Sequence, residues 1–179
     1  MELTLGLGAA VAGLRAGQSS ATVQETNTAY ALTPMVEWPA GAALFLGIEA
    51  SFLSLEDPYG VGGHRSVVLP GGRARLSFEL WEGFTLDGTF SVTGALWSSD
   101  GFSSLTGWGY RVAFGGAWRF RDGLAERADG ADTPLWAYVQ LGRQVVNAFA
   151  EEDGSGRAER DQPVVAAFTP LTVGVRAGW

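Results

Sequence analysis

The sequence predicts a single all-β domain over residues 1–179: a closed, eight-stranded antiparallel up-and-down transmembrane β-barrel with long extracellular loops. Apolar residues occupy every second position in about eight stretches, and a period of two is that of a β-strand. Charged residues make up only 17% of the chain, whereas about 25% is usual in soluble domains. No apolar run approaches the roughly 18 residues of a membrane-spanning helix. A membrane barrel accounts for all three observations because it spreads its apolar surface over alternate residues of many strands.

The composition excludes several classes of protein and of site. All twelve basic residues are arginines and the net charge is −7, whereas a nucleic-acid-binding protein normally carries a basic surplus. The absence of cysteine excludes disulfides and thiolate zinc sites, and a single histidine, His64, excludes the usual two- or three-histidine metal sites. We therefore expect no metal and no cofactor. The N-terminal MELTLGL lacks the basic region of a secretory signal, so we expect Met1 to be a start residue placed on a mature chain.

Four alternating stretches are predicted in the first half of the chain, each with one apolar face and one face of small or polar residues. A polar loop follows the first stretch, the turn Pro39-Ala40-Gly41 follows the second, and a loop over residues 55–71 follows the third. We expect bulges at Pro34 and Pro170, because proline cannot donate a ladder hydrogen bond. The predicted strands cover residues 2–13, 28–38, 44–52 and 73–80.

Four further stretches follow the turn Trp81-Glu82-Gly83, and the polar segments SSDGFSS, RDGLAERADGADTP and AEEDGSGRAERDQ connect them. The seventh stretch is ambiguous in phase. We favour an apolar face with Leu135, Ala137, Val139, Leu141 and Val145, which leaves Arg143 on that face unless a bulge intervenes. The eighth stretch ends in the alternating run LTVGVRAGW and is predicted to pair with the first. The predicted strands cover residues 84–96, 108–120, 135–148 and 163–179.

The face opposite the apolar one indicates which side of the sheet contacts water. It consists mainly of Gly, Ala, Ser and Thr with single charges, which suits the crowded interior of a narrow barrel. In this interpretation the apolar face contacts lipid and the polar face lines the lumen. Buried charges must be paired, so we predict an interior ion-pair network that plugs the lumen and leaves no large pore. Its predicted members are Glu37, Glu49, Arg73, Arg75, Glu79, Asp87, Arg111, Arg119 and Arg176.

Aromatic residues are concentrated near the ends of the predicted strands. Two such belts are typical of a barrel that crosses lipid, because aromatic rings with a polar edge favour the headgroup level. Connection lengths also alternate: long polar loops follow strands one, three, five and seven, short turns follow strands two and four, and the connection after strand six is an exception. The predicted membrane-interface aromatics are Tyr30, Trp38, Phe52, Phe84, Trp108, Trp118, Phe120 and Trp179.

These features resemble the small eight-stranded outer-membrane β-barrels of Gram-negative bacteria, which include the outer membrane protein A, X and W types and the opacity-type adhesins. The resemblance covers the whole chain and concerns its architecture. Its most specific part is LTVGVRAGW, which is similar to the family's C-terminal assembly signal, although phenylalanine is the commoner last residue there. The resemblance implies a monomer in the bacterial outer membrane that contacts lipopolysaccharide and is inserted by the barrel-assembly machinery through its C-terminal strand.

A catalytic alternative rests on His64 and Ser66 with Glu56 nearby, since a histidine, a serine and a carboxylate are the parts of a hydrolase triad. Some small outer-membrane barrels are lipid A deacylases or acyltransferases. The segment is a predicted Gly-rich loop without a second supporting motif, so a solvated loop histidine is the favoured interpretation. The acidic segments RDGLAERADGAD and EEDGSGRAERD do not match the calcium-loop motif. We therefore predict no catalytic, cofactor-binding or metal-binding residues.

The leading functional hypothesis is a non-enzymatic integral outer-membrane barrel with a structural, adhesion or recognition role through its extracellular loops. The alternatives are an outer-membrane lipid-modifying enzyme, a soluble lipocalin-like binder of an apolar ligand, and an engineered barrel without a ligand. Solubility without detergent distinguishes the lipocalin-like barrel, because its apolar faces would line a cavity instead of contacting lipid. The expected partners are the lipid bilayer and lipopolysaccharide, with no nucleic acid and with a loop partner that the fold does not specify.

Overall fold

The structure, a computed structural model, describes residues 2–16, 27–56, 64–99, 102–126, 132–150 and 164–178. Its sheet is antiparallel and closes on itself in the order of the chain, which confirms the fold class predicted from the sequence. Within the described residues, no helix is long and apolar enough to cross a membrane. The strands are β1 (Glu2–Ala16), β2 (Asn27–Pro39), β3 (Leu44–Glu56), β4 (His64–Trp81), β5 (Phe84–Ser99), β6 (Phe102–Glu126), β7 (Asp132–Ala150) and β8 (Val164–Gly178).

The register of the strands shows that the barrel is staggered. Directly paired residues, followed once around the sheet from Leu3 on β1, lead to Gly13 on the same strand. A closed sheet with such a stagger has strands that tilt relative to the barrel axis. The β1–β8 pairing runs from Glu2 opposite Gly178 towards the other ends of both strands, which confirms the predicted closing strand. Closure removes the sheet edges, so backbone groups can be paired without water.

The outward faces of the strands form an apolar belt. Along β5, Leu86 and Phe90 are exposed whereas Asp87 and Thr89 are buried, and Phe114 on β6 is 70% exposed. A soluble antiparallel sheet would bury the apolar face and expose the polar one, so the two faces are exchanged here. Other large apolar side chains exposed on the belt include Leu46, Ile48, Phe78, Trp118, Leu141, Leu171 and Val173.

The phase of β7, ambiguous in the sequence, is the one that we favoured. Ala137 and Val139 are exposed on the outward face. Gln140, which follows Val139 and points to the opposite face, is buried. The β7–β8 register is the same on both sides of Arg143, so no bulge intervenes and this arginine is exposed on the lipid side. Leu135, which we assigned to the same apolar face, is buried instead, opposite a register shift in β6.

The strands extend further than predicted, and the connections between them are correspondingly shorter, most clearly at three places. The loop expected over residues 55–71 reduces to 57–63, because β3 continues and β4 begins earlier. The SSDGFSS connection reduces to 100–101, and the connection after β6 reduces to 127–131. Ladder hydrogen bonds use backbone atoms only, so polar side chains do not end a strand whose neighbour continues. The prediction of a long connection after strand five is therefore wrong. The prediction that the connection after strand six is also long is wrong for the same reason.

The two prolines do not produce the predicted bulges. Pro34 pairs with Leu5 of β1, and Pro170 pairs with Ala10 of β1, without a shift in register. On the other side of each proline the ladder is interrupted and then resumes in the same register. A missing N–H removes one hydrogen bond, but a bulge also needs an additional residue. Register shifts occur instead at Glu79/Trp81, Trp97/Ser99, Arg119/Arg121 and Asp122/Glu126.

Phe114→Arg tests whether the outward belt contacts lipid. An arginine in the centre of the belt should destabilise a lipid-inserted barrel by roughly 2–4 kcal/mol, because a cation is poorly solvated there. Thr106→Arg, on the same exposed face of β6 but nearer the strand end, should cost only about 0–1 kcal/mol. Guanidinium unfolding in lipid vesicles, followed by tryptophan fluorescence, measures both variants. Equal losses of stability would show that the belt does not lie in lipid.

Candidate functional site in the barrel interior

Charged side chains enter the lumen because they occupy the polar phase of their strands. Arg73 and Arg75 are two residues apart on β4, so they lie on the same face. Glu37 on β2, Glu49 on β3 and Asp87 on β5 follow the same rule, and all five residues are buried. The alternation that places apolar side chains outside therefore also gathers acidic and basic groups inside.

Glu37 is the centre of this cluster because each of its carboxylate oxygens accepts from a different arginine. Arg73 donates from Nε to Oε1 at 2.8 Å, and Arg75 donates from Nε to Oε2 at 2.9 Å. Arg73 also donates from Nη1 to Oε2 of Glu49 at 3.0 Å. Both oxygens of one carboxylate thus bind cations, which is the charge-assisted arrangement that a buried carboxylate requires.

Asp87 is the second acidic centre. Its Oδ2 accepts from Nη2 of Arg176 at 2.6 Å, and its Oδ1 accepts from the hydroxyl of Ser77 at 2.6 Å and from that of Thr85 at 3.3 Å. Nη1 of Arg75 lies 3.5 Å from the same Oδ1. Arg75 therefore connects Asp87 to Glu37, and the joined network links β2, β3, β4, β5 and β8 across the lumen.

Buried apolar side chains share the lumen with the ionic network. Met35, Ala117 and Tyr138 form a buried cluster beside the network, with Trp136 packed against it. Towards the strand ends that carry the longer connections, inward residues of five strands are apolar and buried. These are Leu53, Val67, Leu69, Ala95, Val146 and Phe168.

Three predicted members of the network lie elsewhere or lack a partner in it. Glu79 is exposed and accepts a hydrogen bond from the backbone N–H of Gly83, because it stands at the turn after β4. Arg119 is only part-buried at the same end of the barrel and lies 3.7 Å from the carboxylate of Glu82. Arg111 is buried in the lumen, but no salt bridge joins it to a described carboxylate. Glu79 is therefore not an interior residue, whereas Arg111 has the predicted inward position, because alternation gives a face and not a height or a partner.

The residues of the catalytic alternative are not in a loop. Glu56 and His64 are backbone partners at the ends of β3 and β4, and their side chains lie outside the described part of the chain. Ser66 follows on β4 and is exposed. Among the described residues, no three His, Cys, Asp or Glu side chains are grouped to hold a metal ion.

Most of the predicted interface aromatics are exposed on the outer face of the barrel. Phe84 is half-buried because its ring stacks on Trp81 with the centroids 4.4 Å apart. The side chains of Tyr30 and Trp179 lie outside the described part of the chain. The exposed ones are Trp38, Phe52, Trp108, Trp118 and Phe120.

Aromatic residues in the lumen were not predicted from the sequence, although the alternation already placed these residues on the inward face of their strands. Phe45 lies on the inward phase of β3, and the guanidinium carbon of Arg75 is 4.0 Å from the centre of its ring. Tyr138 shares the inward phase of β7 with Gln140, and Arg176 lies over its ring at 5.8 Å. Such contacts supply additional stabilisation to buried arginines.

The sequence matches no protein-family model and no curated relative. Solved structures match it in architecture. The crystal structure of Neisserial surface protein A has a TM-score of 0.54 and 13% identity, and the match covers 99% of this chain and 97% of that chain. This chain has the fold of the small eight-stranded outer-membrane β-barrels.

Two other solved outer-membrane barrels match over similar lengths. The outer membrane enzyme PagL has a TM-score of 0.49 and 12% identity, with 93% of this chain and 97% of that chain covered. Ail, the attachment invasion locus protein of Yersinia pestis, has a TM-score of 0.47 and 12% identity, with 98% and 97% covered. At such identities the function has to be argued from the chain itself.

Glu37→Gln tests the interior network. The substitution leaves two buried arginines facing a neutral amide, so the barrel should lose roughly 3–5 kcal/mol of stability. Glu82→Gln, which removes a solvent-exposed carboxylate, should change stability by less than about 0.5 kcal/mol. Denaturant unfolding in detergent micelles measures both. If Glu37→Gln were as stable as the control variant, the ion pairs of Glu37 would make no contribution to the free energy of unfolding.

Proposed function

We propose that the protein is an integral, monomeric barrel of the bacterial outer membrane with a structural, adhesion or recognition role through its extracellular loops. The observation that carries the proposal is an apolar outward belt combined with a lumen filled by paired charges. The belt supports residence in lipid. The filled lumen supports a function at the ends of the barrel instead of through it.

The lumen of the described segments is filled by apolar and ionic contacts. Apolar side chains such as Leu69 and Phe168 occupy the part towards the long-connection end, and the ionic network around Glu37 and Asp87 shares the remaining part with the cluster around Tyr138. A continuous water path would require several buried ion pairs to separate together. Each separation leaves uncompensated charges, so an open state is strongly disfavoured.

The conductance of the purified protein tests the closed lumen. After insertion into planar bilayers, the barrel should show no steady porin-sized conductance, because the ion pairs and apolar layers exclude a water column. A known porin inserted under the same conditions is the control for insertion and detection. Stable, large-amplitude channels from this protein would refute the closed lumen.

The extracellular role is supported by the connections on one side of the barrel. The segments 17–26, 57–63 and 151–163 all connect strands at the end opposite the N- and C-terminal strand ends. They are rich in Ser, Gly and charged residues, and 151–163 contains the acidic run EEDGSGRAERD. Polar segments held by a rigid scaffold are a common location for recognition.

Replacing 151–163 with a short Gly-Ser turn tests the recognition role. The variant should still show heat-modifiable gel migration, because the replaced segment lies outside the barrel strands. Bacteria that display the intact protein should adhere several-fold better than vector-only bacteria to at least one of fibronectin, laminin, collagen and cultured epithelial cells, and the variant should lose this gain. Equal adhesion of all three strains to every surface would remove the recognition role.

The same strains test the non-enzymatic part of the proposal, because lipid A from each should have the same mass spectrum. The exposed position of Ser66 on a paired strand supports this expectation. A change in lipid A that disappears in His64→Ala would instead favour the lipid-modifying enzyme.

Lipopolysaccharide contact is supported by Arg143 on the lipid side of β7. Nη1 of Arg143 donates to the hydroxyl of Thr169 on β8 at 3.1 Å, and both groups are outside the lumen. Arg143 is two residues from Val145, the partner of Tyr110, so it lies close to the aromatics at the long-connection end. A cation among apolar side chains there is stabilised by a lipid phosphate within reach of its flexible side chain.

Arg143→Gln tests this contact. Barrels purified from outer membranes in mild detergent should carry several-fold less lipopolysaccharide than wild type, because the substitution removes the guanidinium that meets the phosphate. Arg119→Gln, which changes an arginine at the short-turn end, is the matched control and should not change the amount. Quantification of lipid A per barrel by mass spectrometry gives the comparison. Identical amounts in both variants would exclude Arg143 as a contact.

A further inference from the structure

The guanidinium of Arg111 has an open edge inside the barrel. Arg111 lies on the inward face of β6 and is 2% exposed. Among the described residues, its Nε and Nη2 have no hydrogen-bond partner. These two nitrogens lie along one side of the planar guanidinium, so a complete two-donor edge is free in a place that bulk water does not reach.

Other unpartnered donors lie on the two strands next to Arg111. Ser91 on β5 and Gln144 on β7 are the direct cross-strand partners of Arg111. The hydroxyl of Ser91 and Nε2 of Gln144 are buried without a partner in the described part of the chain, and so is the hydroxyl of Thr93, two residues from Ser91 on the same face. Three neighbouring strands thus present hydrogen-bond donors to one part of the lumen.

The carboxylates of the ionic network do not satisfy Arg111. Glu37 and Asp87 are bound to other arginines. Glu49 binds Arg73 through Oε2, and its Oε1 is buried without a hydrogen-bond partner among the described residues. Glu49 attracts Arg111 electrostatically without a hydrogen bond, and Arg73 repels it. A buried cation that lacks a bonded anion is costly, and water alone supplies no negative charge.

We infer that the lumen binds one small planar oxyanion of the carboxylate or nitrate class at Arg111. Its two oxygens accept from Nε and Nη2 side by side, the bidentate geometry for which a guanidinium edge is suited. Gln144, Ser91 and Thr93 donate to the remaining lone pairs. The buried apolar side chains of Val146 and Phe168 lie between this site and the long-connection end of the barrel, so the anion is acquired on folding and exchanges slowly.

Retention of labelled formate tests the site. The urea-unfolded protein is refolded into detergent micelles in ¹⁴C-formate and passed over a size-exclusion column without formate. Wild type should retain formate in stoichiometric amount. Arg119→Gln, which removes an arginine at the short-turn end of the barrel, should retain as much, whereas Arg111→Gln should retain none.

Two further variants keep the test decisive if Arg111→Gln does not refold, which heat-modifiable gel migration reports. Arg111→Lys keeps the charge without the two-donor edge and should retain much less formate than wild type. Gln144→Leu removes one donor to the anion and should release formate about tenfold faster. The inference is overturned if wild type retains no formate, if either Arg111 variant retains as much as wild type, or if Arg119→Gln loses as much as the Arg111 variants.

Discussion

The constraint on which this structure depends is the closure of a sheet whose outer face meets lipid. Without water, each backbone N–H and C=O must find its partner within the sheet, so β1 must pair with β8 along its length. Eight strands enclose only a narrow lumen. Polar residues on the inward phase that lie within the lumen, such as Glu37 and Asp87, are therefore buried, and the ion pairs follow from that confinement.

The narrow lumen determines which side chains can lie inside it. A Cβ atom on inward-facing Gly115 would collide with the carbonyl oxygen of Val139, so only glycine allows the two strands to approach there. Long arginines reach across the lumen instead, as Arg176 on β8 does to Asp87 on β5. Their acidic partners are equally buried. In this low-dielectric interior each ion pair is stronger than in water, and each unpaired polar atom costs more free energy. Arg111 and its neighbours illustrate this cost, since their buried donors lack partners in the described part of the chain and define the proposed binding site.

Alternation in the sequence was sufficient to predict the closed barrel, the lipid-facing belt and the inward position of residues such as Glu37 and Arg73. It could not predict the pairing, because partners across the lumen are set by the stagger of the sheet. Glu79 shares the phase of Arg75, yet it is exposed at the turn after β4. Val67 and Leu69 were missed because a Gly-rich stretch obscured the early start of β4. Sequence phase thus gives the face of a residue, and the register gives its neighbours.

The pair formed by Asp87 and Arg176 gives the most direct test of a lipid-embedded barrel with a charge-filled lumen. A double-mutant cycle with Asp87→Asn, Arg176→Gln and the double variant, measured by reversible unfolding in lipid vesicles, isolates the interaction between the two side chains. Each single substitution should destabilise the barrel by roughly 3–5 kcal/mol. The double variant should be at least about 1–2 kcal/mol more stable than the sum of the single effects predicts, because neither charge then lacks its partner. Additive losses, or single variants as stable as wild type, would contradict the account.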